Sequence, residues 1–232
     1  MAWWGVIALV AATVLGVTGG VADARPPARP GSSMGALLGR QQAQRLLAVR
    51  VVAIGCSGTS VGSGVIVPDG RVITNRHVVA GAVYVEVQRS DGRRIGAAIE
   101  RVGADIDLAT LWAGPAVGTG VVPGGRLDPG GSVQVLGHPL GGALVASAGR
   151  ITARATYDNP GMRSPAAYID ALVAAGNSGG PAFDGAGRLV GVVFGIENNT
   201  KLAAAMDGDT VARFLAGEGR SGDPQACEPE VE

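Results

Sequence analysis

The sequence predicts an all-β protein built as two barrels or sandwiches. Three observations predict it. Short runs rich in Val, Ile and Thr recur along the chain, punctuated by Gly, Pro, Asp and Asn. One dense Gly/Pro stretch, residues 114–131 (GPAVGTGVVPGGRLDPGG), divides these runs into two sets. Helical spacing appears only near the two ends. Composition agrees: aromatics make up 4% of the 232 residues, so small and β-branched side chains must build the core. Apolar content of 47% against 16% charged is ample for one.

Taken in order, residues 1–24 are expected to be a signal peptide or membrane anchor. Residues 3–17 are almost wholly apolar, and Ala22-Asp23-Ala24 has the small-x-small form of a cleavage site. An uncharged stretch of about 20 residues is also long enough to anchor a chain in a bilayer. Either reading places the protein outside the cytoplasm, secreted or held at the cell envelope. Residues 25–47 read as a Pro-rich linker (RPPARPGSS) followed by a short helix from residue 34, on the spacing of Leu37, Leu38, Ala43, Leu46 and Leu47. A first barrel is expected over 48–118, with strands at 51–54, 64–67, 72–74, 83–87 and 108–112. Asp69-Gly70 and Ser90-Asp91-Gly92-Arg93 mark hairpins. Residues 119–131, within the Gly/Pro stretch, form the link between the barrels. A second barrel is expected over 132–206, with strands at 132–136, 144–152, 166–169, 189–194 and 202–206. Residues 207–232 are a closing helix, with Asp209 as an acidic N-cap candidate, and a tail.

The balanced charge, 19 basic against 19 acidic residues, and the lack of a basic patch argue against a nucleic-acid partner. The two cysteines, Cys56 and Cys227, form no CxxC and have no His pair nearby, so no metal site and no cofactor is expected. In an exported chain they read as one disulfide. It would close a loop of about 170 residues, worth about 5 kcal/mol in the chain-entropy model. In a cytosolic chain they would be two separate thiols.

Chemistry concentrates in Ala175-Gly176-Asn177-Ser178-Gly179-Gly180-Pro181. Glycines around a serine permit a tight exposed turn with an accessible Oγ and converging N–H groups. A Gly-rich turn alone would look the same, so the rest of a catalytic set must be found elsewhere. Only two histidines are available. His138, between Gly137 and Pro139, reads as a loop residue. His77 follows a strand and precedes an acidic motif, and is the better base. Asp105 and Asp107 both stand in that motif. Asp107 opens the apolar run, so it is favoured as the carboxylate that holds His77 in one tautomer.

Four segments, Gly62-Ser63-Gly64-Val65-Ile66-Val67, Thr74-Asn75-Arg76-His77-Val78-Val79, Asp107-Leu108-Ala109 and Gly176-Asn177-Ser178-Gly179-Gly180-Pro181, occur in this order. Together they resemble trypsin-like serine proteases of the HtrA (Deg) type, over roughly residues 51–215. The paired cysteines, the apolar N-terminal segment and residues 187–195 (GRLVGVVFG) are most similar to the actinobacterial, membrane-anchored periplasmic (MarP-like) branch.

The resemblance implies two perpendicular six-stranded β-barrels of chymotrypsin-like fold with the site between them, and a C-terminal helix. It implies serine endopeptidase activity through an acyl-enzyme, in envelope protein processing or quality control, with polypeptide substrates. Ser178 would be the nucleophile, His77 the general acid–base and Asp107 its orienting partner. The N–H groups of Gly176 and Ser178 would form the oxyanion hole. Leu172, Val173, Val193, Phe194 and Gly195 would line the substrate pocket, with residues 202–205 at its back, favouring small to medium apolar side chains. Asn177 stands where digestive relatives carry an acid that pairs with a freshly cut N-terminus, so no such activation is expected. No PDZ domain is expected in the 54 residues after Ser178. The competing reading is a catalytically silent protease fold used as a binding or scaffold module.

Overall fold

The computed structural model describes Met1, residues 30–159 and residues 162–223. The rest of the expected leader or anchor, the start of the linker and Cys227 lie outside the described residues. The first element among the described residues is helix α1 (Pro30–Leu47), which starts four residues before the spacing suggested. The first set of strands is β1 (Ala48–Gly55), β2 (Gly58–Val67), β3 (Arg71–Thr74), β4 (Ala82–Arg89), β5 (Arg94–Gly103) and β6 (Ala109–Trp112). A short helix, α2 (Arg76–Val79), sits between β3 and β4. The second set is β7 (Ser132–Gly137), β8 (Val145–Asn159), β9 (Met162–Ile169), β10 (Pro181–Asp184), β11 (Leu189–Ile196) and β12 (Ala203–Asp207). Helix α3 (Gly208–Leu215) and a two-residue strand, β13 (Ser221–Gly222), follow.

Each set closes on itself into an antiparallel six-stranded barrel. In the first, neighbours run β5-β4-β1-β2-β3-β6, and pairing of β5 with β6 completes the ring. The second runs β10-β11-β12-β9-β8-β7 and closes directly. The fold is therefore the chymotrypsin-like pair of barrels with a C-terminal helix. The β2–β3 hairpin turns at Asp69-Gly70, both in the left-handed region at φ 65° and 72°, as an Asp-Gly turn requires.

The first barrel is filled by Val49, Val51, Val85, Val87, Val102 and Leu111. The second is filled by Val135, Ile151, Ile169, Val193 and Ala205. A third cluster joins residues of both barrels, Val65, Ile73 and Leu108 with Leu136, Phe183 and Met206, and adds Phe214 from α3. Valines dominate the first core, each worth about 1.5–3 kcal/mol when fully buried. The segment between the barrels is pinned to both. Val121 donates its N–H to Ile66, Gly124 donates to Leu189, and Leu127 is fully buried.

At α3 the N-cap position is Asp207, two residues earlier than the sequence suggested. Its carboxylate does not cap the helix. It accepts from the Leu127 N–H and forms a bidentate pair with Arg154. Asp209 lies in the first turn and accepts from the Gly125 N–H. The tail then returns to the first barrel, where β13 pairs with β5. Arg101 holds this return. Its guanidinium stacks 4.4 Å from the Phe214 ring and donates to the carbonyls of Phe214, Glu218 and Gly219.

Candidate active site

His77 is placed by α2, immediately after β3 ends at Thr74. Asp107 lies in the turn between β5 and β6. Three hydrogen bonds sew the two turns together. Asp107 Oδ2 is 2.6 Å from His77 Nδ1, and Oδ1 accepts the His77 backbone N–H at 2.9 Å. The Asn75 amide in turn donates to the Asp107 carbonyl at 2.7 Å. An ionised carboxylate only accepts, so Nδ1 carries the proton and Nε2 is left as the basic nitrogen. The Asp107 side chain is 3% exposed and that of His77 is 49% exposed. The acid is thus shielded while the imidazole faces the cleft. Asp105 is exposed and pairs instead with Arg220 at 3.0 Å.

Ser178 sits in the loop between β9 and β10. Gly176 (φ 95°) and Gly179 (φ 87°) give the turn its shape. A Cβ at Gly176 would lie 2.4 Å from the His138 carbonyl, and one at Gly179 would lie 2.0 Å from the Ser63 carbonyl. The first barrel holds this loop through one residue of β2. Ser63 donates its N–H to the Ser178 carbonyl (2.7 Å) and its Oγ–H to the Gly176 carbonyl (2.7 Å). Its Oγ also accepts the His138 N–H at 2.8 Å, and its own carbonyl accepts from Thr74 Oγ1. With both carbonyls held, the Gly176 and Ser178 N–H groups donate to no acceptor among the described residues. Two such amides around one serine suit an oxyanion. The first barrel's Gly-Ser-Gly motif was visible in the sequence, but the role of Ser63 was not.

His77 and Ser178 open onto one cavity of about 270 Å³, walled also by Val173, Ala174, Val193, Phe194 and Gly195. No hydrogen bond joins His77 to Ser178 among the described residues; such contacts often tighten only with substrate bound. The wall differs from the expected pocket at its edges. Leu172 is 86% exposed and lies off the wall, whereas its neighbour Val173 lines it. Residues 203–205, expected at the back, are fully buried in the second barrel's core rather than on the cavity wall. Ala175 and Ile196 contribute instead. Behind the wall, Tyr157 meets Phe194 edge to face at 4.9 Å between ring centres. Among the described residues no acidic side chain faces the cavity.

His138 takes no part in this cavity. It is 6% exposed, its Nδ1 contacts the Gly142 carbonyl, and burial pushes its pKa below the usual imidazole value. Asn177 is equally buried, and its Oδ1 has no partner among the described residues.

The profile of the trypsin-like peptidase domain matches residues 62–192, which include His77, Asp107 and Ser178. Protease Do-like 2, a chloroplastic protein of Arabidopsis thaliana, is 32% identical over 179 residues, 71% of this chain. A probable periplasmic serine endoprotease (DegP-like) of Bartonella henselae is 34% identical over 152 residues, 64% of this chain. The chain spans 29% of the length of each of these two relatives. Among solved structures, the active form of the Rv3671c protease from M. tuberculosis superposes with a TM-score of 0.70 at 26% identity, covering 93% of this chain and 99% of that one. The relatives it resembles are of the Do-like (HtrA) type, and the chain belongs to the trypsin-like peptidase domain family.

Proposed function

We propose that this chain is a serine endopeptidase of the cell envelope. The observation that carries this reading is the pairing of His77 with a buried Asp107 on one wall of the cavity that Ser178 also lines. In the proposed reaction, His77 Nε2 takes the Ser178 Oγ proton as the serine attacks a peptide carbonyl. Asp107 holds the imidazole and balances the imidazolium. The Gly176 and Ser178 amides receive the developing oxyanion, each worth about 3 kcal/mol in the transition state. His77 then returns the proton to the departing amine, leaving an acyl-Ser178 that water hydrolyses.

The expected substrates are polypeptides with a small to medium apolar side chain entering the cavity beside Val193 and Phe194. An extracytoplasmic location fits the periplasmic name of the Bartonella relative and the apolar stretch within residues 1–24. Membrane attachment through that stretch and a Cys56–Cys227 bridge belong to the same proposal. Among the described residues no helix is long and apolar enough to cross a membrane. The reading is tested by incubating the purified chain with an unfolded protein and identifying products by mass spectrometry. Internal cleavage lost in Ser178→Ala supports an endopeptidase. Intact substrate with both forms would favour the scaffold reading.

A further inference from the structure

A second cavity, of about 640 Å³, is lined by Arg45 of α1, Arg50 of β1, Arg89 of β4, Arg94 of β5, and by Asp91 and His138. Its charge is one-sided, with four guanidinium groups against a single carboxylate. That carboxylate is already shared. Asp91 contacts both Arg89 and Arg93, and the Arg93 hydrogen bonds, foremost, hold its pKa at about 2. Arg50 has no carboxylate partner among the described residues; it donates to Gln88 Oε1 (2.7 Å) and to the Gly141 carbonyl (2.5 Å). A guanidinium has five N–H donors, so these two bonds leave most of its fork available. The Arg45 guanidinium makes no hydrogen bond or ion pair among the described residues, and the Arg94 guanidinium reaches only Glu86, at 3.9 Å. A further unmet donor or acceptor is His138 Nε2, which is buried and has no partner among the described residues.

The same wall touches the serine loop. Arg50 holds the Gly141 carbonyl, the Gly141 N–H donates to the His138 carbonyl, and the Leu140 N–H donates to Ala175, the residue before Gly176. We propose that this cavity binds a small polyanion bearing phosphate or carboxylate groups, and that the bound anion steadies residues 138–142 against the serine loop. Arginine forks match the oxygen geometry of both groups. An anion taking the remaining N–H groups of Arg50 leaves its bond to Gly141 in place and fixes the guanidinium that makes it. The binding is independent of the peptidase reading; only its consequence for the oxyanion turn rests on that reading.

The test is calorimetric titration of the full chain with inorganic pyrophosphate, and in parallel with citrate, combined with hydrogen exchange at the Leu140 amide. Binding of one molecule per chain is expected for at least one of the two anions, weakening as chloride rises. Pyrophosphate alone would assign phosphate, and citrate alone carboxylate. Arg45→Gln/Arg50→Gln is expected to weaken binding about tenfold or more. Arg45→Gln by itself changes only an exposed helix position and is expected to weaken binding several-fold. Leu140 exchange should slow when the anion is bound. Ser178→Ala should bind as the parent does, so loss of peptidase activity cannot be mistaken for loss of the site. Absence of binding by both anions overturns the proposal. So does unchanged affinity in variants of native melting temperature, or bound anion without slower Leu140 exchange.

Discussion

The carboxylate of Asp107 grips His77 twice, at Nδ1 (2.6 Å) and at the backbone N–H (2.9 Å). A single acid therefore fixes both the ring and the turn that carries it. Replacing Asp107 by Asn keeps the shape but offers an amide where only an acceptor serves. Asp107→Asn is expected to lower kcat by about 10⁴-fold with little change in KM. Asp105→Asn, at an exposed ion pair, should leave kcat within about twofold. Steady-state kinetics on a peptide ester would check both.

Ser63 acts at one remove. Its Oγ bridges the Gly176 carbonyl and the His138 N–H, so in the proposed reaction it would position the oxyanion turn without touching substrate. Ser63→Ala leaves buried groups unpaired and is expected to lower kcat about tenfold to a hundredfold, with KM changed by less than about twofold. A merely structural role would show as a lower Tm with kcat intact at low temperature.

The cavity wall sets the third prediction. Val173, Val193 and Phe194 present apolar surface, and among the described residues no carboxylate is there to meet a cation. A peptide-library profile should centre on small to medium apolar residues before the cut bond. A profile dominated by Arg or Lys would contradict this pocket.

Asp207 and Arg154 yield a prediction on stability. Burial raises the Asp207 pKa, but the Arg154 and Leu127 hydrogen bonds outweigh it and leave the group below its ordinary value. A depressed carboxylate stabilises the fold at neutral pH, and that contribution is lost as pH falls from about 5 through its folded pKa. Asp207→Asn should therefore destabilise by about 2 kcal/mol at pH 7 and progressively less toward acid. Melting curves of both proteins across pH would show the gap closing.

Much of this was legible in the sequence because the relevant signals are local. Asp69-Gly70 announced its turn, the valine-rich runs announced both barrels, and only two histidines competed for the base. Two of the barrel strands were missed for physical reasons. β5 (Arg94–Gly103) is mostly half-exposed and carries Gly, Ala and Glu, which are poor strand formers. β10 (Pro181–Asp184) is four residues long, opens on a proline, and hides behind the glycines of the serine loop. The links through Ser63 and Asn75 span turns far apart in the chain, so no spacing pattern records them. Leu172 was misplaced because its alternation with Val173 depends on which face of an irregular segment meets the cavity.

The central claim is that Ser178 is a nucleophile activated by His77. Fluorophosphonate labelling, read by peptide mass spectrometry, tests it most directly. One label on Ser178 is expected in the parent chain, and none in Ser178→Ala or His77→Ala at matched exposure. An unlabelled parent chain, or a label that persists in Ser178→Ala, would contradict it.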